Sequence, residues 1–128
     1  MATQEDVRRI CTSLPETLEG TDRFEFAVMN KGKAKGLAWV WMERTGPKQA
    51  RVPRPDVIAV RVNGEEEKQA LISTMPSVFF TEPHYNGFPA VLVRLEAIDV
   101  EQLEDLLVGA WRIQAPRPLV RQFDAARV

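Results

Sequence analysis

The chain has 128 residues, 45% hydrophobic and 27% charged, with 17 Lys and Arg against 18 Asp and Glu for a net charge of −1. That composition describes one ordinary domain able to bury about two-thirds of its unfolded surface without a staple, and it argues against a histone-like neutraliser of phosphate charge. Cys11 is the single cysteine, which excludes an intrachain disulfide and a cysteine zinc cluster.

The opening Thr3-Gln4-Glu5-Asp6-Val7-Arg8-Arg9-Ile10-Cys11 predicts a short helix, with Thr3 as cap and Asp6 reciprocating three positions later. Val7, Ile10, Cys11 and Leu14 form its apolar stripe, so Cys11 reads as a core thiol rather than a nucleophile, and Pro15 stops the helix. From residue 24 the period changes to two. Phe24, Phe26 and Val28 predict one strand, Leu37, Trp39 and Trp41 a second with those three side chains on one core face, and Ile58, Val60 and Val62 a third. The link Asn30 to Gly36 reads as a hairpin turn, and Glu43 to Asp56, with Pro47, Pro53 and Pro55, as a loop or irregular edge excursion.

Asn63 to Met75 predicts a second helix capped by Asn63 with Glu66 reaching back, and Pro76 ends it. Val78–Thr81 and Ala90–Leu95 are extended, joined by a connection containing the turn signal Asn86-Gly87. Asp99 caps a long helix whose face runs Val100, Leu103, Leu106, Leu107, Ala110, Trp111 and Gln114. The tail from Ala115 carries Leu119 to Phe123 as one short docking helix, with fraying at its end. Short connections and hairpin turns, with helices alternating too rarely with strands for a doubly wound parallel sheet, predict a single α+β domain, an antiparallel β-sheet of about five strands with helices packed on one face.

The chemistry available is limited. His84 is the only histidine, so no histidine pair, triad or HExxH is present, and neither GxxxxGK[ST] nor GxGxxG occurs. Ser13, Ser73 and Ser77 are the only serines, none in a GxSxG elbow. No catalytic residue, resident metal or cofactor is therefore assigned. Charge is distributed unevenly. Between Lys31 and Arg54 seven bases stand against Glu43 alone, leaving 10 bases and 17 acids elsewhere. Lys31, Lys33, Lys35, Lys48, Arg51 and Arg54 are the candidate phosphate contacts of a nucleic-acid surface. His84 and Tyr85, beside Pro83 and Asn86-Gly87, are candidate cleft residues, or else fasten that turn. No apolar run reaches the roughly 20 residues of a membrane span and the start lacks a secretion signal, so the expectation is cytoplasmic.

The string from Val78 to Leu95, with Glu82-Pro83-His84-Tyr85-Asn86-Gly87-Phe88-Pro89 at its centre, resembles the MmcQ/YjbR-like family. So do Glu104-Asp105-Leu106-Leu107, Ala110 to Val120, Phe24 to Val28 and Lys35-Gly36-Leu37-Ala38-Trp39, a similarity spread over about residues 5 to 123. The resemblance implies a CyaY-like, frataxin-like α+β domain of the kind described as a double-wing DNA-binding domain, from bacteria, with no catalytic set to carry over. Frataxin-like folds hold iron on acidic surfaces. Here Glu5, Asp6, Glu65, Glu66 and Glu67 sit at predicted helix starts, where exposed amides already favour negative charge. The leading expectation is weak, salt-dependent DNA binding by a non-enzymatic domain of otherwise unassigned role. The alternatives are a protein or small-ligand module using Pro83 to Pro89, and an unrecognised enzyme.

Overall fold

A computed structural model describes residues 1–44 and 46–126. The chain runs α1 (Gln4–Thr12), β1 (Thr17–Glu19), β2 (Glu25–Asn30), β3 (Lys33–Arg44), β4 (Arg51–Arg61), α2 (Glu65–Thr74), β5 (Phe79–Phe80), β6 (Ala90–Arg94), α3 (Val100–Gln114) and α4 (Arg117–Ala126). The strands form one antiparallel sheet in the order β1-β2-β3-β4-β6-β5. The α+β expectation holds, with six described strands rather than about five. The additional one, β1, has three residues and follows Glu16, which turns the chain with a φ of 57°.

Local chemistry sets the helix ends. In α1 both halves of the capping box form: the Asp6 amide donates to the Thr3 hydroxyl at 3.3 Å, and the Thr3 amide donates to the Asp6 carboxylate at 2.9 Å. In α3 the Gln102 amide donates to the Asp99 carboxylate at 2.8 Å. The box expected at Asn63 and Glu66 does not form. Gly64 is the cap residue of α2, and the Asn63 amide instead donates to the carboxylate of Glu67 at 2.6 Å, one position further on.

Strand alternation sorts the interior into two cores. Phe26, Val28, Ile58, Val60, Val91 and Val93 face the helices, where Val7, Ile10, Leu103, Leu107 and the fully buried Trp111 cover them. Trp41, Val57, Ala59, Ala90 and Leu92 face the other way, under Tyr85, and no α-helical residue joins that second core. The expected shared face of Leu37, Trp39 and Trp41 is corrected by a β-bulge. Phe26 pairs with Ala38 and Ala27 with Gly36, so Leu37 is the extra residue; it packs on the helix side while Trp39 and Trp41 belong to the opposite side.

Of the two readings for Glu43 to Asp56, a loop or an irregular edge excursion, the structure shows the second, as the far end of a long hairpin. Trp41 to Arg44 pair with Arg54 to Arg51, and the register slips between Val40, opposite Ile58, and Trp41, opposite Arg54. The prolines are tolerated because β6 pairs only with Val57 to Arg61, which leaves Pro53 on an open edge and Pro55 in the slipped segment. Likewise, the first hairpin turns in two residues, not across Asn30 to Gly36. Asn30 pairs with Lys33, and Lys31 and Gly32 both take positive φ, 54° and 80°, as a type I′ turn requires. The tail helix is present as α4, while the fraying expected at the end of the tail falls on residues 127 and 128, outside those described. Among the described residues no helix is long and apolar enough to cross a membrane.

Candidate functional site

The tight first hairpin fixes where its lysines stand. Lys33 and Lys35 lie two residues apart on β3, and therefore on one side of the strand, with Lys31 in the turn. The last residue of α3 holds this hairpin at two points: the Asn30 side-chain amide donates to the Gln114 main-chain carbonyl, and the Gln114 side-chain amide donates to the Gly36 carbonyl, each at 2.9 Å. Pro116 then redirects the chain into α4. The product is a groove of about 940 Å³ between hairpin and helices, with Lys31, Lys33 and Lys35 among the lining residues, together with Arg112, Arg117 and Arg121.

Among the described residues no acid lines this groove; Glu16 borders an adjoining depression beside Lys31. Arg112 is paired with Asp124 at 2.6 Å and lies over the Phe123 ring at 5.6 Å. The other five cations have no ion-pair partner among the described residues. Sequence reasoning missed the arginine wall. A signal was present in Arg117 and Arg121, which an i,i+4 spacing places on one helix face, but nothing in the sequence said that this face meets the first hairpin.

Lys48, Arg51 and Arg54 are placed elsewhere. They belong to the second hairpin, where Arg54 and Arg51 stand opposite Trp41 and Arg44, about 20 and 30 Å along β3 from the groove-lining Lys35. Arg54 donates to Glu43 at 2.5 Å and to Asp56 at 3.4 Å; the Glu43 bond, then the Asp56 bond, raises the guanidinium pKa above its ordinary value. Arg51 donates to the Met42 carbonyl at 2.9 Å, and Lys48 is exposed. The six candidate phosphate contacts are therefore divided, with only the first three together.

Near the second hairpin, on the sheet face that the α-helices leave open, is a cleft of about 620 Å³ containing both His84 and Tyr85. Trp39, Met42 and Phe88 supply its apolar surface, and Arg23 and Arg51 its charge. The Trp39 indole N–H donates to the Tyr85 hydroxyl at 3.0 Å, and the Phe88 ring stands edge-on to Trp39 and Tyr85, with centroids 6.3 and 6.1 Å away. The loop carrying Tyr85 and Phe88 is fastened from beneath by Lys68 of α2, a fully buried side chain whose ammonium donates to the carbonyls of Tyr85 and Phe88 at 2.5 and 3.1 Å. Desolvation lowers the pKa of Lys68.

The remaining candidates have local roles. Glu5 pairs with Arg8, Asp6 caps α1 and pairs with Arg9, Glu65 accepts from Gln69, and Glu67 accepts from Asn63. Among the described residues no three His, Cys, Asp or Glu side chains are grouped as metal ligands. Cys11 is buried against the helix-side core, and burial pushes its thiol up to about 12.

No family model matches the chain. An uncharacterised protein of Mycobacterium bovis, Mb2600, is 43% identical over 129 aligned positions covering 96% of each chain. Two uncharacterised proteins of Mycobacterium tuberculosis, MT2646 and Rv2570, match at the same identity and coverage. Among solved structures, the Deinococcus radiodurans protein DR2400, which carries a DUF419 domain, superposes with a TM-score of 0.64 at 26% identity, covering 87% of this chain and 77% of that one.

Proposed function

The chain belongs to one family with the mycobacterial proteins Mb2600, MT2646 and Rv2570, and from that premise we propose that it is a non-enzymatic DNA-binding domain of the MmcQ/YjbR-like group, acting in the cytoplasm. The observation that carries this reading is the groove in which Lys31, Lys33 and Lys35 face Arg117 and Arg121 with no lining acid among the described residues. Five cations without ion-pair partners among the described residues can each sit against a phosphate, and the N-terminal end of α4 adds a partial positive charge of its own. These contacts are electrostatic and specify no base, so binding is general and weak in a chain whose net charge is −1. The DUF419 structural neighbour and the similarity of residues 78–95 to MmcQ/YjbR-like proteins both favour this reading.

Fluorescence anisotropy with a labelled duplex and with its single strand, from about 50 to 300 mM salt, tests it. Neutralising up to five phosphates predicts a log–log slope as steep as about −4.5 for duplex. Reversing Lys33, Lys35 and Arg121 to Glu abolishes binding, whereas Lys48→Glu on the second hairpin leaves it within about twofold. Absence of association at the lowest salt, or equal affinity of the triple variant, would overturn the proposal.

A further inference from the structure

The aromatic cleft lies on the sheet face opposite the helix-backed groove, so what it binds is a separate question from DNA. Phe88, a large apolar ring, is 46% exposed, and Trp39 is only partly buried beside it. Together the two rings make one contiguous aromatic patch beside the cleft, and such a patch, unlike a single exposed ring, marks a candidate binding surface. The polar groups around the rings are also one-sided. Arg23 and Arg51 line the cleft and no carboxylate does, while Arg51 uses a single N–H bond on Met42 and keeps the others of its guanidinium. Glu43 and Glu82 line only the adjoining depression, which shares Arg51 and His84.

We propose that this cleft binds a small planar aromatic anion, its ring against Trp39 and Phe88 and its carboxylate or phosphate on Arg23 and Arg51. The glutamates next door repel a second negative group and place the anion at the Arg23 side. A volume of about 620 Å³ accepts one ring system with its substituent. Rigidity comes from the buried Lys68, which holds the Tyr85 and Phe88 carbonyls, and from the Trp39 N–H on Tyr85, so that the rings stand ready before a ligand arrives.

The Trp39 indole N–H reports directly on the cleft and is followed by NMR, with the Trp111 indole, bonded to the Pro15 carbonyl inside the helix-side core, as the marker of an intact fold. The probes are adenosine 5′-monophosphate and 2-naphthoate as anionic rings, adenosine as the ring alone and inorganic phosphate as the anion alone. A saturable shift of the Trp39 signal with the monophosphate identifies a nucleotide-like phosphate source, one with naphthoate an aromatic carboxylate, and either supports the proposal. Arg23→Met, an exposed position, and Phe88→Ala each weaken that binding by about tenfold while leaving the Trp111 signal in place. The proposal is overturned by no saturable shift with either anionic ring up to about 10 mM, by adenosine or phosphate alone binding as tightly as the combined ligand, or by unchanged affinity in both variants. None of these outcomes depends on whether the opposite groove binds DNA.

Discussion

The ammonium of Lys68, on a side chain withdrawn from solvent, donates to the main-chain carbonyl of Tyr85 at 2.5 Å across 17 residues of sequence. Among the described residues no carboxylate bonds to it; its hydrogen bonds go to dipoles, the Tyr85 and Phe88 carbonyls, and the charge of Glu65 favours it from a distance. Those carbonyls each have a second donor, the amides of Phe88 and Ala90 at 3.0 and 2.8 Å. Lys68→Met therefore leaves them weakened rather than orphaned and costs about 1–3 kcal/mol in urea unfolding. Equal or greater stability of the variant would mean that desolvating the charge costs more than the carbonyls return. The pH dependence has a definite sign. With its folded pKa lowered, Lys68 releases its proton in the folded state first, so the unfolded chain holds more protons just below the ordinary value of 10.5, and its contribution to stability rises with pH there. The Met variant lacks that rise.

The turn between β2 and β3 separates stability from function. A Cβ at Gly32 would meet nothing within 4 Å, so Gly32→Ala is penalised only by its φ of +80°, at about 1 kcal/mol. Lys31 already carries a Cβ at a φ of 54°, and Lys31→Gly gains about 0.5 kcal/mol by relieving it. The same change removes one cation from the groove. Thermal unfolding and salt titration on Lys31→Gly should move in opposite directions: Tm up, and the DNA-binding slope shallower by about 0.9.

Gln114 supports the groove without carrying charge. Gln114→Ala removes its bond to the Gly36 carbonyl but keeps the main-chain carbonyl that accepts from Asn30, a loss of about 0.5–1.5 kcal/mol in unfolding free energy. DNA affinity falls in this variant while the salt slope stays unchanged, since no cation is lost. A changed slope would show that Gln114 does more than position the hairpin.

The helices were legible where a short-range rule governs them: Thr3 with Asp6 and Asp99 with Gln102 sit at fixed spacings. Alternation failed at the two places where the backbone adds residues. One extra residue at Leu37 turns Trp39 to the opposite face, and the slip opposite Val40 hides a strand among prolines that an open edge tolerates. A period-two reading has no means of counting a bulge. The three-residue β1 is too short to show a period at all. For the site, the lysines of the first hairpin and the pair His84-Tyr85 were visible as local clusters. Arg117 and Arg121 join the former only through Gln114, and Lys68 joins the latter only through its reach to Tyr85, contacts between residues 78 and 17 positions apart that a linear reading does not supply.

Cys11 provides the remaining prediction and a control on Lys68. Burial, with a smaller contribution from Glu19, holds the thiol protonated up to about 12, against an ordinary value of 9.0. Below 9.0 both folded and unfolded chains keep the proton and the group gives no pH dependence. Above it the unfolded chain ionises and the folded chain does not, so stability falls as pH rises, by up to about 1.4 kcal/mol per pH unit from this group. Cys11→Ala loses the sulfur's packing, about 1 kcal/mol at neutral pH, but escapes the alkaline decline. The two unfolding free energies should converge above 9.0 and then cross. Lys68 acts with the opposite sign but is common to both proteins, so it cancels in their difference. Curves that stay parallel to pH 11 would show that the thiol ionises without leaving the core, and that Cys11 is less enclosed than its packing against Val7 and Ile10 indicates.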